Sequence, residues 1–355
     1  MPIRHRLFTT LSLSVLGAVS THFKAHAENM CQKYNMRHGV FSIKSDGSDL
    51  KLLRDLPGAL NIDKMRVSPD GKKIVYLQCL EDVNADCICD GAEYFAKEVM
   101  VSDIDGQNPR IVGENQGGFN DYPGWMPDGN SVIFMLSTQK NKLNSDLIRF
   151  DLQSGKTVNL TRSENVFESD HHVNSQGKIT VVQQQIEGFA LHPVNNLFQF
   201  MLPHPEQRQQ ISFATESLGD HCCYADPRMS PDLKYLSFAT YAKKKGKDGD
   251  WDIMLKNRHT QHLQDLSQNG AMDLWPAWNA TATQVAWTSW DEDQHQYALR
   301  VYEVSKKTVK DIPLIGNNQR FTWQNKTLIF GRVHWFDWLN PSSDTLIFPA
   351  TYALF

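Results

Sequence analysis

SPDGKKIVY, residues 68–76, is a tight Pro-Asp-Gly turn followed by an apolar β-strand, and this combination recurs along the chain. Five further copies follow at steps of 43 to 58 residues: MPDGNSVIF (126–134), NSQGKITV (174–181), SPDLKYLSF (230–238), NATATQVAW (279–287) and WQNKTLIF (323–330). A period of this length, with turn residues between short strands, is typical of the four-stranded blades of a β-propeller.

A second apolar hairpin follows each of the first five copies, and a sixth such hairpin, at 40–53, precedes them all. We therefore predict an all-β fold, a six-bladed β-propeller in which the N-terminal hairpin closes the last blade by pairing with the strand at 328–330. Closure of this kind removes open sheet edges. The tail, residues 331–355, fits either extra strands of the closing blade or a cap.

The N-terminal residues predict export. Residues 1–27 have a basic start at Arg4 and Arg6, an apolar run at 7–19 and small residues before a cleavage site at Ala27. The apolar run is shorter than the roughly 20 residues that span a membrane. We expect a signal peptide at 1–27 and one propeller domain at 28–355, without membrane insertion, in a periplasmic or secreted protein.

The amino-acid composition excludes few classes of function, but it gives no sign of a nucleic-acid partner. The chain has 355 residues, of which 41% are hydrophobic, and a formal net charge of −4. A large core is therefore available, and there is no excess of positive charge that would favour binding to nucleic acid.

The repeat phrases resemble those of the TolB-like (WD40-like Pro-Asp repeat) propellers. Their hallmark is Asp or Asn, then Pro, then Trp-Ser-Pro-Asp-Gly, and the nearest copies here are 121–129 and 226–232, with the front half at 273–278. The resemblance covers about residues 37–330. It implies a six-bladed propeller that binds a partner, although the stretch between Ala27 and Arg37 is too short for the α/β domain that precedes the propeller of TolB.

We expect the ligand-binding site on the face of the ring where the innermost strands begin. Recurrent acids, with Asp63 as the first, are predicted just before those strands, near the central tunnel. The alternative for each acid is a hydrogen bond to amides of its own turn, and for each tryptophan a place in the core. The candidate residues of the tunnel face are Asp121, Tyr122, Asp170, His171, His172, Asp220, His221, Asp226, Asp273 and Trp275.

Residues 78–97 form an acidic, cysteine-containing loop with two possible roles. Its oxygen-bearing side chains follow the spacing of an EF-hand calcium loop at Asp82, Asn84, Asp86, Asp90 and Glu93. Cys87 stands where that loop needs glycine, so a disulfide-stapled loop is favoured over calcium, and no cofactor is firmly predicted. Six cysteines are disulfide candidates in an exported protein: Cys31, Cys79, Cys87, Cys89, Cys222 and Cys223.

Two functions remain open at this point. The leading hypothesis is a binding module, without catalysis, that takes a protein or peptide partner of the cell envelope at its tunnel face. The alternative follows from the oligogalacturonate lyases, TolB-like propellers that cleave acidic oligosaccharides with a histidine-held metal. In this chain, only His171, His172 and His221 are candidates for such ligands.

Overall fold

The structure is a computed structural model, and every regular element that it describes is a β-strand. The described residues are 37–56, 62–79, 97–114, 119–137, 144–187, 190–212, 221–242, 250–267, 269–291, 296–315, 321–323, 326–333, 335–339 and 344–354, with no account of the side chains of 56, 187–194, 221–222, 242, 296, 313–315, 321–323, 329 and 331–332. Among these residues, no helix has the length and hydrophobicity needed to cross a membrane.

Five four-stranded antiparallel sheets form blades I to V, each following the chain from its innermost to its outermost strand. Blade I is β3 (Ile62–Val67), β4 (Lys73–Cys79), β5 (Lys97–Asp103) and β6 (Arg110–Gly113); blade II is β7 (Phe119–Trp125), β8 (Ser131–Ser137), β9 (Asp146–Asp151) and β10 (Thr157–Asn159); blade III is β11 (Val166–Val173), β12 (Lys178–Glu187), β13 (Ala190–Met201) and β14 (His204–Gln210); blade IV is β15 (His221–Met229), β16 (Tyr235–Ala242), β17 (Asp250–Asn257) and β18 (Leu263–Asp265); blade V is β19 (Met272–Trp278), β20 (Gln284–Asp291), β21 (Gln296–Glu303) and β22 (Thr308–Ile315).

Blade VI combines the two ends of the chain, as predicted. It contains β1 (Arg37–Lys44), β2 (Lys51–Leu56), β23 (Phe321–Trp323), β24 (Lys326–Arg332), β25 (Asp337–Trp338) and β26 (Thr345–Leu354). β1 pairs with β26 without a break, from Arg37 opposite Tyr352 to Lys44 opposite Thr345. The N-terminal hairpin therefore closes the ring, and the tail supplies strands of the closing blade.

The predicted partner of the N-terminal hairpin was wrong by one strand. β26 lies between β1 and β24, so residues 40–53 do not pair with 328–330. β24 and β25 follow one another along the other edge of β26, and β23 pairs with β24 beyond it. In blade VI the residue equivalent to Ser68 is Leu339, whose amide donates to the Thr345 carbonyl as that of Ser68 donates to the Lys73 carbonyl. The repeat strand of this blade is therefore β26, and the TLIF at 327–330 obscured it because the same four letters recur at 345–348.

Six hydrophobic clusters hold the ring together, one at each interface between neighbouring blades. Three tryptophans at equivalent positions reinforce these seams by donating their indole N–H to the preceding blade. Trp125 donates to the Arg66 carbonyl at 3.0 Å, Trp278 to Ser237 Oγ at 3.0 Å and Trp338 to the Ala277 carbonyl at 3.1 Å. These side chains are therefore part of the scaffold.

Candidate functional site

The innermost strands of blades I to V share one irregularity, a β-bulge at the same place in the repeat. The residue that opens each bulge has a positive φ, which is unusual for residues other than glycine and is concentrated at functional sites. These residues are Lys64 (φ 47°), Tyr122 (48°), Asp170 (36°), Asp226 (48°) and Trp275 (60°). We call them the mouth ring, together with Trp335, which precedes β25 in blade VI.

Local sequence explains why the strands bulge there. Asp63 Oδ1 accepts the amide hydrogen of Lys64 at 3.0 Å, and Asp121 Oδ1 accepts that of Tyr122 at 2.8 Å. In blades II, IV and V a proline follows the residue with positive φ, and proline has no N–H to donate to the ladder. The recurrent acids thus lie within the innermost strands rather than before them, because each strand continues through its bulge.

Electrostatic interactions between non-neighbouring blades place these side chains around the central tunnel. Asp170 of blade III is influenced by the charge of Lys64 in blade I. One level deeper, the charge of Arg66 in blade I acts on Arg228 of blade IV, directly across the ring. Burial lowers the pKa of Arg228 to about 9, and the positive charge of Arg66 contributes to this shift. Side chains on opposite sides of a propeller can approach each other only through its tunnel.

Lys64 fills one side of the mouth ring. Its Nζ lies 2.6 Å from Asp121 Oδ1 and 3.6 Å from the centre of the Tyr122 ring. The same ammonium group is 5.6 Å from the ring centre of Trp335. This is an ion pair combined with cation–π contacts, which gain strength when the cation is removed from water.

Two tryptophans form an aromatic wall beside Lys64. Trp275 and Trp335 have ring centres 4.6 Å apart. Trp335 is buried and also lies under the Arg66 guanidinium, 5.0 Å from its carbon. Trp275 and Tyr122 are only half-buried, so they are the aromatic side chains of the mouth ring that a ligand can contact.

The acidic side of the mouth ring consists of Asp170 and Asp226, in neighbouring blades. Asp170 is 8% exposed and Asp226 only 2%. Burial raises the pKa of Asp170 well above its usual range, and the neighbouring Asp226 carboxyl raises it further. Oδ1 of Asp226 is buried and accepts no hydrogen bond from the described residues.

A charged layer lies one level below the mouth ring. Arg228 Nη1 donates to the carbonyls of His171 at 3.2 Å and Pro227 at 2.8 Å. Asp337 of blade VI accepts the Val67 amide hydrogen at 2.9 Å, and burial raises its pKa although Arg66 and Arg228 oppose that shift. This layer ties blades I, III, IV and VI together and forms the floor of the site.

The predicted histidine cluster is not assembled among the described side chains. His171 is buried against blade II, where its Nε2 lies 3.4 Å from the position that a Cβ on Gly124 would take, and burial lowers its pKa to about 3. His172 faces the main chain of Met229 in blade IV, and burial lowers its pKa as well. The two rings diverge because successive residues of a strand point to opposite faces.

Asp273 also belongs to the scaffold rather than to the tunnel. It is fully buried in blade V, where it accepts hydrogen bonds from Trp287 Nε1 at 2.7 Å and Asn269 Nδ2 at 2.9 Å. Burial raises its pKa to about 6. Asp63 has a similar structural role, since its Oδ2 lies 2.9 Å from the buried Lys97 Nζ.

Several predicted residues lie outside the described part of the chain. These are residues 1–27, Cys31, the calcium-loop candidates at 82–93 together with Cys87 and Cys89, and Asp220, while the side chains of His221 and Cys222 are not described. Cys79 is buried at the end of β4 and is disulfide-bonded. Cys223 is half-buried, and its main-chain carbonyl accepts a hydrogen bond from Thr240 Oγ1 at 2.9 Å.

Sequence analysis missed Lys64, Arg66, Arg228, Trp335 and Asp337. A positional signal was available: the mouth ring lies four residues before the first residue of each turn, and the deeper layer two residues before it. Recurrent acids did not reveal these positions, because the residue type there changes from blade to blade.

Comparison with solved structures supports the fold. A protein assigned as TolB from Agrobacterium tumefaciens superposes with a TM-score of 0.61 at 14% identity, covering 89% of this chain and 98% of the other. Oligogalacturonate lyase from Vibrio parahaemolyticus gives 0.50 at 13% identity, covering 89% and 96%, and TolB from Acinetobacter baumannii gives 0.48 at 12%, covering 94% and 71%. No protein-family model and no curated protein matches the sequence.

Proposed function

The chain has the fold of a TolB-like six-bladed β-propeller, and we propose that it is a non-catalytic module that binds a protein or peptide segment at its mouth ring. The observation that carries this proposal is the mouth ring itself, to which each of the six blades contributes one side chain. Its cationic, aromatic and acidic groups form a polar site with half-buried aromatic anchors, as is common in recognition sites.

The contrast between the mouth ring and its surroundings supports a binding role. The seams consist of apolar clusters and buried indole hydrogen bonds, whereas the five ring residues of blades I to V stand at bulges and have positive φ. Strain of this kind persists where the surrounding structure holds it for function. The residue type at the ring position therefore differs from blade to blade, while the strands that carry it are alike.

The geometry gives no support to the alternative function, a metal-dependent enzyme that cleaves acidic oligosaccharides. His171 packs against blade II and His172 faces the main chain of Met229 in blade IV, and among the described residues no three His, Cys, Asp or Glu side chains converge as metal ligands. We propose binding in the cell envelope, with export directed by residues 1–27, which places the mouth ring in contact with other exported proteins.

Photo-crosslinking in cells that express the chain tests this function. A photoreactive phenylalanine analogue replaces Tyr122 or Trp275 in the mouth ring, and Val158 or Val309, which are exposed on outermost strands, as matched rim controls. We expect the same protein partner to crosslink from both mouth positions and from neither rim position. Crosslinks from the rim alone, or none from the mouth, would contradict the proposal.

A further inference from the structure

We propose that Asp170 and Asp226 bind a basic side chain, lysine or arginine, of the partner segment. This inference rests on the proposed binding function and adds the chemistry of its ligand. The two carboxyl groups come from neighbouring blades, III and IV, at equivalent positions of the repeat, and they interact with each other within the tunnel.

The Asp226 carboxyl is hydrogen-bonded to Asp170, but only part of its hydrogen-bonding capacity is used. Its side chain is 2% exposed, and Oδ1 accepts no hydrogen bond from the described residues. A buried acceptor without a partner is destabilising, and more so when it is charged. Such an atom in a functional tunnel points to a hydrogen-bond donor that arrives with the ligand.

The cations whose charges reach the acid pair, Arg228 and Lys64, make their direct contacts elsewhere. Arg228 Nη1 donates to the main-chain carbonyls of His171 and Pro227. Lys64 Nζ lies on the other side of the ring, 2.6 Å from Asp121 Oδ1. The two carboxyl groups are hydrogen-bonded to each other, which holds one proton between them, and an incoming cation would take the place of that proton.

The flanking residues suit an organic cation better than a metal ion. The equivalent positions of the adjacent blades carry Tyr122 and Trp275, both half-buried and aromatic. Lys64 already shows the same chemistry inside this ring, with its ammonium group between a carboxylate and an aromatic face. A lysine or arginine stem would pack on the aromatic rings while its head reaches the carboxyl groups.

The test uses the intact chain and acetyl-Gly-Gly-X-Gly-Gly-amide peptides, where X is lysine, arginine, Nε-acetyl-lysine, norleucine or glutamate. Binding is followed by the fluorescence of the tunnel tryptophans and by calorimetry. We expect the lysine and arginine peptides to bind at least about tenfold more tightly than the three others, since a charge-assisted hydrogen bond contributes about 1.5–3 kcal/mol. This comparison changes only the ligand and does not depend on the folding of any variant.

Asp170→Asn and Asp226→Asn should each lower the affinity for the lysine peptide at least about tenfold. Asp311→Asn, on the exposed outermost strand β22, is the matched control and should leave binding unchanged. Equal affinity for the norleucine peptide, preference for glutamate, or no binding of any peptide would overturn the inference. The inference would also be overturned if calcium ions, added as calcium chloride, bound the two carboxyl groups and prevented the lysine peptide from binding. The crosslinking result is independent of these outcomes, so the two proposals can fail separately.

Discussion

At the scale of single residues, the same repeat position serves different purposes in different blades. Asp63 and Asp121 cap the bulge, whereas Asp170 and Asp226 occupy the next position and face the tunnel. A shift of one residue within the bulge thus separates a structural carboxylate from one that faces the tunnel. Recurrence of aspartate in the sequence could not distinguish these two roles.

Asp273 gives a pH-dependent prediction about stability. Its folded pKa of about 6 lies above the usual aspartate value, so its stabilising contribution is present below about pH 4 and is lost as the pH rises through 6. We expect the difference in free energy of unfolding between the wild type and Asp273→Asn to fall by up to about 3 kcal/mol between pH 4 and pH 7. Urea denaturation of both proteins across this range measures it, and a constant difference would refute the assigned pKa.

At the scale of elements, the closing seam between β1 and β26 is packed more tightly than the sequence reveals. Phe41 lies against Phe330, Phe348 and Tyr352, with ring centres 4.8, 5.8 and 5.1 Å away. Gly39, in the same strand, leaves the space that Leu52 and Tyr352 occupy. The N-terminal strand is therefore an integral part of blade VI.

Gly39→Ala should destabilise the ring. A Cβ at this position would lie 2.9 Å from both Leu52 Cδ1 and Tyr352 Cε1, which forces the seam to shift. We expect a loss of about 1–3 kcal/mol in the free energy of unfolding.

Gly270→Ala is the matched control for that change, because no atom lies within 4 Å of its added Cβ. It should change stability by less than about 0.5 kcal/mol. Thermal or urea unfolding compares the two variants. Equal stability of both would show that β1 does not pack as described.

At the scale of the whole molecule, the fold was largely predictable and the site was not. Turns such as 68–71 and their following strands are local, so the sequence predicts blades and their closure. The sixth copy was misplaced because the letters TLIF occur both at 327–330 and at 345–348. The tunnel residues were not predicted because a bulge decides whether Asp63 or Lys64 faces the tunnel axis. A bulge depends on strand pairing, which the local sequence does not show.

Hydrogen exchange on the intact chain tests the central claim, that a partner binds where all blades meet. The chain is measured alone and with the partner recovered by crosslinking from Tyr122. We predict added protection in the innermost strands of several blades together, at 62–67, 119–125, 166–173, 221–229 and 272–278. Protection confined to the outermost strands of one or two blades would contradict the account.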